Sequence, residues 1–473
     1  MPLGVGVIHL IGIGGIGISG IAEILHNLGY KVKGSDMTEN YNVQRLRKLG
    51  IEVHIGHKAE NVNGAAVVVK STAVPNSNPE IIAAREQRIP VVKRAEMLAE
   101  LTRLKASVAI AGTHGKTTTT SLVAMMFEAG GTNPTVINGG IINTVGTNAY
   151  LGKGEWLVVE ADESDGTFIK IPSTIGVVTN IDPEHLDYWN NFDALRAAFR
   201  TFIDNLPFYG LGVLCNDHPE VRTLAKQITD RRILTYAVKK DADIKAVNIR
   251  STVAGSLFDV EISEHATGGK ARKLKGVKLP VPGRHNVQNS LAAIAIGLEL
   301  GFDDKVITRA FEKFAGVKRR FTKTGVVDKI TVIDDYGHHP VEIKATLATA
   351  RDVQKSGKGR VIAVCQPHRY TRLNNLFDSF SKCFGDADAV VISEVYAAGE
   401  TPIPGVTGKA LSEVVKRTKK DTHYLEAPEK LAELINRIAK PNDLIVCLGA
   451  GTVTTWAHAL PSELARIRKS KVS

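Results

Sequence analysis

A short stretch near position 115 combines the residue types that bind a triphosphate. It reads Ala-Gly-Thr-His-Gly-Lys-Thr-Thr from Ala111 to Thr118 and follows the apolar segment Val108–Ala111. Backbone N–H groups of a glycine turn at the start of a helix can hold phosphate oxygens. Lys116 can carry positive charge to the outer phosphates, and the Thr117 hydroxyl can bind Mg²⁺. The pattern predicts a nucleotide-binding loop, shortened because its two glycines are only three residues apart.

Acidic residues and a histidine follow two further apolar segments and are candidates to bind a metal ion. Glu160 ends the segment Trp156–Glu160, and a carboxylate is the hard oxygen donor that Mg²⁺ prefers. His185 follows Ile175–Thr179 and could complete a second metal site, although a histidine taken alone is more often structural. Three acids after Glu160 fit a metal site or a solvated loop equally well: Asp162, Glu163 and Asp165.

A second glycine-rich turn lies near the amino terminus. Gly12–Gly17 follows an apolar strand and begins a helix, and Asp36 lies about twenty residues further on. This is the outline of a dinucleotide-binding fingerprint, which alone would suggest an NAD-dependent oxidoreductase. Because the chain also carries a triphosphate loop, we interpret the turn as the site for the diphosphate of a nucleotide-linked substrate. The pattern itself does not distinguish a nicotinamide cofactor from a nucleotide sugar.

Repeats of apolar strand, glycine turn and helix must position these residues. They predict an α/β chain with mainly parallel sheets. The 473 residues are enough for about three domains. We predict domains over residues 1–105, 106–320 and 321–473, and an exposed hairpin loop over Ser263–Lys275.

Composition argues against several other classes of protein. The net charge of +11 is not gathered in long basic blocks, so we expect no binding of nucleic acid. The four cysteines form no CxxC pair, which is typical of reduced thiols. No apolar run reaches the roughly 18 residues of a membrane span, and the amino terminus lacks the basic region of a signal peptide. We therefore expect a soluble cytoplasmic protein, whose oligomeric state the sequence does not reveal.

Taken in order, the motifs resemble those of the Mur ligase family. The strings run through the whole chain: Gly12–Gly20, AGTHGKTTTT, EADESD, NIDPEHLDY, GRHNVQN, DDYGHHP, QPHRYTR and LGAGT. The resemblance implies a Rossmann-like N-terminal domain for a UDP-sugar, a central P-loop ATPase domain, and a Rossmann-like C-terminal domain for an amino acid. Within the family, the strings resemble the branch that joins L-alanine to the lactyl carboxylate of UDP-N-acetylmuramate. That reaction uses ATP and Mg²⁺ and proceeds through an acyl phosphate.

The resemblance also implies roles for individual residues. The expected ATP-binding residues are Gly112, Thr113, His114, Gly115, Lys116, Thr117, Thr118, His285, Asn286, Asn289, Arg320 and Asp335. The expected metal ligands are Thr117, Glu160 and His185. The expected UDP-sugar residues are Gly12, Gly14, Gly15, Ile16, Gly17, Ser35, Asp36, His54, Ser71 and Arg94. The expected amino-acid site comprises His339, His368, Arg369 and Arg372, of which His339, Arg369 and Arg372 join Lys116 as catalytic candidates.

One departure from the family and three alternative functions stay open at this point. Several family members carry a carbamylated lysine downstream of the metal-binding histidine, where this chain has Phe199 and Arg200. Its absence agrees with the alanine-adding branch and leaves open what orients a second metal ion. The alternatives are a related ligase that attaches a whole tripeptide to the same sugar, an NAD-dependent oxidoreductase, and a P-loop regulatory ATPase.

Overall fold

Three sheets organise the chain. The computed structural model describes residues 5–469, apart from 72, 144–146, 165, 253, 355–358 and 420. The sheets have five, ten and six strands. The first two lie mainly in one compact unit and the third lies in a second unit. Asp165, one of the candidate acids, falls outside the described residues.

The first sheet is parallel, with the strand order β3-β2-β1-β4-β5. Its strands are β1 (Val7–Ile11), β2 (Val32–Asp36), β3 (Glu52–Ile55), β4 (Ala65–Lys70) and β5 (Val91–Lys93). Its helices are α1 (Ile16–Asn27), α2 (Tyr41–Lys48), α3 (Pro79–Glu86) and α4 (Arg94–Thr102), with a 3₁₀ turn over Ala59–Val62. The strand order reverses between β1 and β4, and ligands bind at such a point, beyond the carboxyl ends of the strands.

The second sheet has the strand order β15-β14-β13-β12-β11-β10-β6-β9-β7-β8. Its strands are β6 (Ala106–Ala111), β7 (Thr135–Ile142), β8 (Thr147–Tyr150), β9 (Trp156–Glu160), β10 (Ile175–Val178), β11 (Leu211–Cys215), β12 (Arg232–Ala237), β13 (Ile244–Thr252), β14 (Gly255–Ile262) and β15 (Arg272–Leu279). The accompanying helices are α5 (Lys116–Ala129), α6 (Leu186–Trp189), α7 (Phe192–Asp204), α8 (Pro219–Gln227), α9 (Glu264–Thr267), α10 (Arg284–Glu299) and α11 (Asp304–Arg309). Strands β6 and β10 are parallel neighbours, so the loops that follow them meet at one edge of the sheet.

The third sheet has the strand order β16-β17-β21-β18-β19-β20, and its β16–β17 pair is antiparallel. Its strands are β16 (Thr322–Val327), β17 (Ile330–Asp335), β18 (Val361–Cys365), β19 (Ala389–Ser393), β20 (Thr422–Leu425) and β21 (Leu444–Leu448). Its helices are α12 (Pro340–Gln354), α13 (Tyr370–Asn375), α14 (Phe377–Lys382), α15 (Gly408–Thr418), α16 (Leu431–Ile438) and α17 (Val453–Lys469). Strands β18, β19 and β21 are buried along their whole length, which explains their continuous apolar sequences.

The predicted fold class is confirmed, since parallel pairs of strands dominate all three sheets. The predicted exposed loop over Ser263–Lys275 is wrong in part. Glu264–Thr267 forms a short helix, and Arg272 already begins β15, where Leu274 is buried between exposed lysines. The alternation of apolar and basic residues marks a strand with one solvated face. The domain boundaries near 105 and 320 stay a prediction.

Two properties of the described residues bear on later points. No helix among them is long and apolar enough to cross a membrane. All four cysteines are free thiols and all are buried.

Candidate active site

The triphosphate loop connects the buried strand β6 to helix α5. Gly112 and Gly115 have φ angles of +131° and +81°, which favour glycine. A Cβ atom on Gly112 would overlap the Thr179 hydroxyl, at the end of the neighbouring strand β10. A Cβ atom on Gly115 would lie 3.0 Å from Oδ1 of Asn289 in α10. The glycines therefore let the loop pack against two other elements while it turns into the helix.

The segment after β10 holds this loop in place. The Thr179 hydroxyl donates to the His114 carbonyl at 2.7 Å, and the His114 N–H donates to Asn180 Oδ1 at 2.7 Å. The Asp182 N–H donates to the Thr113 hydroxyl at 2.9 Å. From the sequence, this segment was predicted only to bind a metal ion, and its part in positioning the loop was missed.

Lys116 lies at the start of α5 and is surrounded by hydrogen-bond acceptors. Its ammonium donates to the carbonyls of Gly112 at 2.6 Å and Thr113 at 3.2 Å, and to the Glu163 carboxylate at 2.7 Å. Burial alone would lower the pKa of this ammonium, but Glu163, with Asp162 and Glu160 nearby, raises the pKa above its usual value. Lys116 therefore keeps its positive charge, as contact with a phosphate requires.

The expected metal ligands lie around the same loop. Thr117 is buried in the first turn of α5. Glu160 ends β9 and accepts the Gly139 N–H at 2.8 Å. His185 caps α6 in the left-handed conformation, with φ +55°. The three residues remain predicted metal ligands.

Two further acids fit a metal ion better than the sequence indicated. One ligand atom from each of Glu163, Glu184 and His185 lies within 4.8 Å of the others. Oε1 of Glu163 is buried, lies 3.9 Å from His185 Nε2, and has no hydrogen-bond partner among the described residues. Such an oxygen is a suitable donor for a divalent cation. The only indication in the sequence that Glu184 could bind a metal ion is its position directly before His185.

A cavity of about 700 Å³ opens beyond the carboxyl ends of the strands of the first sheet. Of the residues expected to bind a UDP-sugar, four line it: Gly12, Gly15, Asp36 and Ser71. The Gly14 N–H donates to Asp36 Oδ2 at 2.8 Å, so Asp36 also fixes the glycine turn. His57 lines the cavity too and was missed, because nothing in its local sequence marks it.

The other expected sugar residues have different surroundings. Ser35 is fully buried, and its hydroxyl donates to Glu80 at 2.7 Å. His54 is partly exposed on β3 and lies 3.1 Å from Glu52. Arg94 packs beside Gly17 and forms an ion pair with Asp162 at 3.5 Å. Ile16 is half exposed at the start of α1.

The third sheet brings most of the expected amino-acid residues together. The His368 ring stacks on Tyr396 at 5.5 Å, and its Nδ1 lies 3.1 Å from the Arg372 guanidinium. Burial, with a smaller effect of His338 and Arg372, lowers the pKa of His368 to about 4. His368 is therefore neutral at pH 7. Arg369 forms an ion pair with Glu400 at 2.7 Å.

His339 occupies a different environment, at the start of α12. It is buried, and its Nδ1 accepts the Val341 N–H at 3.4 Å. The adjacent His338 has its ring 5.8 Å from that of His368. His338, Tyr396 and Glu400 were not singled out from the sequence. His338 could have been found, because it directly precedes His339.

The remaining nucleotide candidates contact other groups of the protein, two of them on helix α12. His285 Nδ1 lies 3.3 Å from the Thr349 hydroxyl, and burial, with Arg320 nearby, lowers its pKa to about 4. The Asn286 amide donates to the Pro282 carbonyl at 2.7 Å. Asp335 is buried and accepts N–H groups at 2.8 Å. Arg320 lies 3.5 Å from Glu342 and over the Tyr336 ring.

Known proteins and family models match this chain along nearly its whole length. The chain matches the model of the Mur ligase family catalytic domain at residues 7–106, of the Mur ligase middle domain at 110–297, and of the Mur ligase glutamate ligase domain at 319–451. The UDP-N-acetylmuramate–L-alanine ligase of Brucella ovis is 59% identical over 466 residues, or 98% of each chain. The enzyme of the same name from Rhodospirillum rubrum is 59% identical over 99% of this chain and 97% of its own.

Solved structures agree with these matches. A UDP-N-acetylmuramate–alanine ligase from Thermotoga maritima superposes with a TM-score of 0.80 at 32% identity, covering 98% of this chain and 99% of that one. A murein peptide ligase from Psychrobacter arcticus shares the fold, with a TM-score of 0.69 at 23% identity over 97% of this chain and 99% of its own. The triphosphate loop, the glycine-turn cavity and these matches along the whole chain show that the protein belongs to the Mur ligase family.

Proposed function

We propose that this chain joins L-alanine to the lactyl carboxylate of UDP-N-acetylmuramate, with ATP as the energy source. This is the first amino-acid addition in the synthesis of the peptidoglycan precursor, and it releases ADP and phosphate. The observation that carries the proposal is the 59% identity to ligases of that name over 98% of the chain. The charged Lys116 in a loop built for phosphate supports the use of ATP.

The first half-reaction makes a carboxylate reactive. An oxygen of the lactyl carboxylate attacks the γ-phosphorus of ATP, the bond to ADP breaks, and an acyl phosphate forms. Phosphoryl transfer depends mainly on positioning and on neutralising negative charge. We assign charge neutralisation to Lys116 and phosphate binding to the loop Gly112–Thr118, whose position Thr179 and Asn180 fix.

The second half-reaction forms the amide bond. The amine of alanine attacks the acyl carbon, and phosphate leaves. We assign Arg369 and Arg372 to the alanine carboxylate or the phosphate, because guanidinium groups bind such oxygens in pairs. His368 is neutral at pH 7 and so does not repel the alanine amine. His339 remains our candidate to accept the amine proton.

Mg²⁺ is the expected cofactor. Thr117, Glu160 and His185 are the proposed ligands, and the oxygens of Glu163 and Glu184 are close enough to join His185. Bound there, the metal would neutralise charge on the phosphates. We assign adenosine contacts to His285, Asn286 and Asn289, and ribose or phosphate contacts to Arg320 and Asp335.

The UDP-sugar is proposed to bind at the amino-terminal cavity. Its diphosphate would lie at the glycine turn Gly12–Gly17, and Asp36 and Ser71 line the space beside it. We also propose that the enzyme works in the cytoplasm, where ATP is supplied and where free cysteines are usual.

The test of the function is phosphate release from ATP and Mg²⁺ with UDP-N-acetylmuramate, with and without each amino acid. We expect release to require both the sugar nucleotide and L-alanine, with the amide product seen by mass spectrometry. Serine and glycine should react more weakly, since a pocket discriminates a methyl-sized difference by only about 1–3 kcal/mol. Release with a tripeptide and not with alanine would instead identify the tripeptide-adding ligase. Turnover of ATP that ignores sugar and amine would contradict the proposal.

A further inference from the structure

A buried carboxylate lies beside the amino-terminal cavity and takes no part in phosphoryl transfer. Glu80 is in the first turn of α3 and is 0% exposed. Five groups donate hydrogen bonds to it, one from β1, one from β2 and three from residues 57–61 after β3. They are His9 Nε2 (2.9 Å), Ser35 Oγ (2.7 Å), Asn61 Nδ2 (2.7 Å), His57 Nδ1 (3.3 Å) and the Lys58 backbone N–H (3.3 Å).

These donors keep Glu80 ionised. Burial alone would raise the pKa of its carboxyl group, but the hydrogen bonds from His9, Ser35 and Asn61 lower it to about 2. An ionised carboxylate accepts hydrogen bonds and cannot donate them. The imidazole nitrogens of His9 and His57 that face Glu80 therefore carry their protons. His57 Nδ1 also lies 3.1 Å from the Ser35 hydroxyl, which gives its own proton to Glu80 and so accepts from Nδ1 as well.

His57 is the donor that also reaches the cavity. It lines the cavity together with Asp36 and Ser71, and its side chain is 12% exposed. Because Nδ1 carries the proton, Nε2 of the neutral ring is a hydrogen-bond acceptor. Nε2 is on the ring edge opposite the carboxylate, so it is the atom left to contact a ligand. Uridine offers donors that match it, the N3–H of uracil and the ribose hydroxyls.

Glu80 is also linked to the cavity wall through the chain. Asn78 and Pro79 line the cavity and directly precede it. The Asn78 side chain caps α3 by accepting the Glu80 N–H at 2.9 Å. A carboxylate with only a structural role would affect stability without affecting which nucleotide binds, and that difference can be measured.

We propose that Glu80 is a positioning residue for the uridine part of the substrate, which it serves by holding His57 with Nε2 as an acceptor in the cavity. The inference rests on the proposed binding of a UDP-sugar at this site. Glu80 itself contacts no substrate. Its effect passes through His57, so the two residues must act as one unit.

The test is a double-mutant cycle read by UDP binding in a calorimeter. Glu80→Gln keeps the shape and removes the charge, and His57→Ala removes the acceptor. Each should weaken UDP binding by about tenfold, the size of one lost hydrogen bond. The double variant should bind no more weakly than His57→Ala, because coupled residues are not additive. The KM for the UDP-sugar should rise in parallel while kcat stays nearly constant.

Nucleotide analogues separate positioning from folding. Wild-type protein should bind 3-methyl-UDP, which lacks the N3–H, more weakly than UDP. Glu80→Gln and His57→Ala should each bind 3-methyl-UDP and UDP with equal affinity. If discrimination appears with 2′-deoxy-UDP instead, the matching donor is a ribose hydroxyl and the positioning role still holds. Asp443→Asn is the matched control, since Asp443 is 2% exposed and accepts N–H groups of Arg360 and Lys440. It should lower the melting temperature and leave UDP binding unchanged.

Two results would overturn the inference: normal UDP binding by Glu80→Gln, or losses that add in the double variant. If Glu80→Gln does not fold, Asn61→Ala replaces it in the cycle, with the same two outcomes decisive. Wild-type protein that forms the alanine amide while Glu80→Gln binds UDP normally contradicts this inference alone. Wild-type protein that binds UDP but never uses alanine contradicts the proposed function alone.

Discussion

The Lys116 ammonium has a full set of hydrogen-bond partners within the protein. A lysine ammonium has three N–H donors. They are directed to the Gly112 and Thr113 carbonyls and to Glu163. Contact with ATP must therefore exchange at least one of these bonds for a phosphate oxygen. The bond to Glu163 is the one that an anion is best placed to replace, since the other two help to form the loop itself.

Replacing this lysine should abolish the reaction and spare the sugar site. Lys116→Ala removes the charge that stabilises the transferred phosphoryl group, so we expect kcat to fall by at least about 10³-fold. UDP binding, measured by calorimetry, should stay within about twofold of wild type, because additivity holds between distant sites. Unchanged turnover would contradict the assignment.

Lys105 provides a matched control for Lys116. Its ammonium also makes three hydrogen bonds, to the Thr135 hydroxyl at 2.9 Å and to the carbonyls of Gly152 at 2.9 Å and Gly154 at 2.7 Å. Lys105→Ala should lower the melting temperature and leave kcat within about threefold, since surface and loop contacts of this kind affect stability.

At the level of elements, the phosphate loop depends on its neighbour β10 as much as on its own sequence. Gly112 and the segment after β10 approach so closely that no side chain fits between them. The close approach lets Thr179 and Asn180 bind the His114 backbone. The conformation of the loop is therefore fixed by groups that are far away in the sequence.

Adding a single methyl group at Gly112 should displace the loop. Gly112→Ala would force the Ala Cβ against Thr179, and the φ of +131° is unfavourable for alanine. We expect the Kd for ATP to rise at least about tenfold, the effect of losing 1.4 kcal/mol of binding. The measurement is ATP titration by calorimetry. Gly131→Ala is the control, because Gly131 has a φ of +72° with nothing within 4 Å. Equal ATP binding by both variants would contradict the close-packing argument.

The sequence predicted those parts of the site that are local and missed those built from distant residues. The strand, loop and helix around Lys116 follow from adjacent residues, and all were predicted. The bond between His114 and Asn180 joins residues 66 apart, and the contact between His57 and Glu80 joins residues 23 apart. Such contacts depend on how the strands order themselves in the sheet. Short or partly exposed strands such as β3 and β16 were missed for a related reason, since their sequences are not continuously apolar.

At the scale of the whole molecule, helix α1 of the first sheet packs on the β7–β8 edge of the second. The Asn148 amide donates to the Ile16 carbonyl at 2.5 Å, and Arg45 donates to the Thr147 hydroxyl at 2.7 Å. A Cβ atom on Gly20 would lie 2.6 Å from the Ala149 Cβ. The helix that begins at the amino-terminal glycine turn is thus in direct contact with the sheet that carries Lys116.

Widening this contact should slow the reaction without weakening the binding of UDP or of ATP. Gly20→Leu would push α1 away from Ala149, and a displacement of about 1 Å between reacting groups can cost about 10²-fold in rate. We expect kcat to fall by up to that factor. The Kd values for UDP and for ATP, measured separately, should stay within about threefold of wild type. Gly269→Leu is the control, as Gly269 has nothing within 4 Å. A normal kcat for Gly20→Leu would show that the contact is not needed.

The four buried cysteines have a practical consequence for following the enzyme in solution. Burial raises the pKa of every one of these thiols, so little reactive thiolate is present at neutral pH. Maleimide dyes therefore have few native sites to modify in the folded enzyme. Cysteines engineered at two exposed positions could carry a fluorophore pair, and energy transfer between the dyes would report distance changes during turnover against a low labelling background.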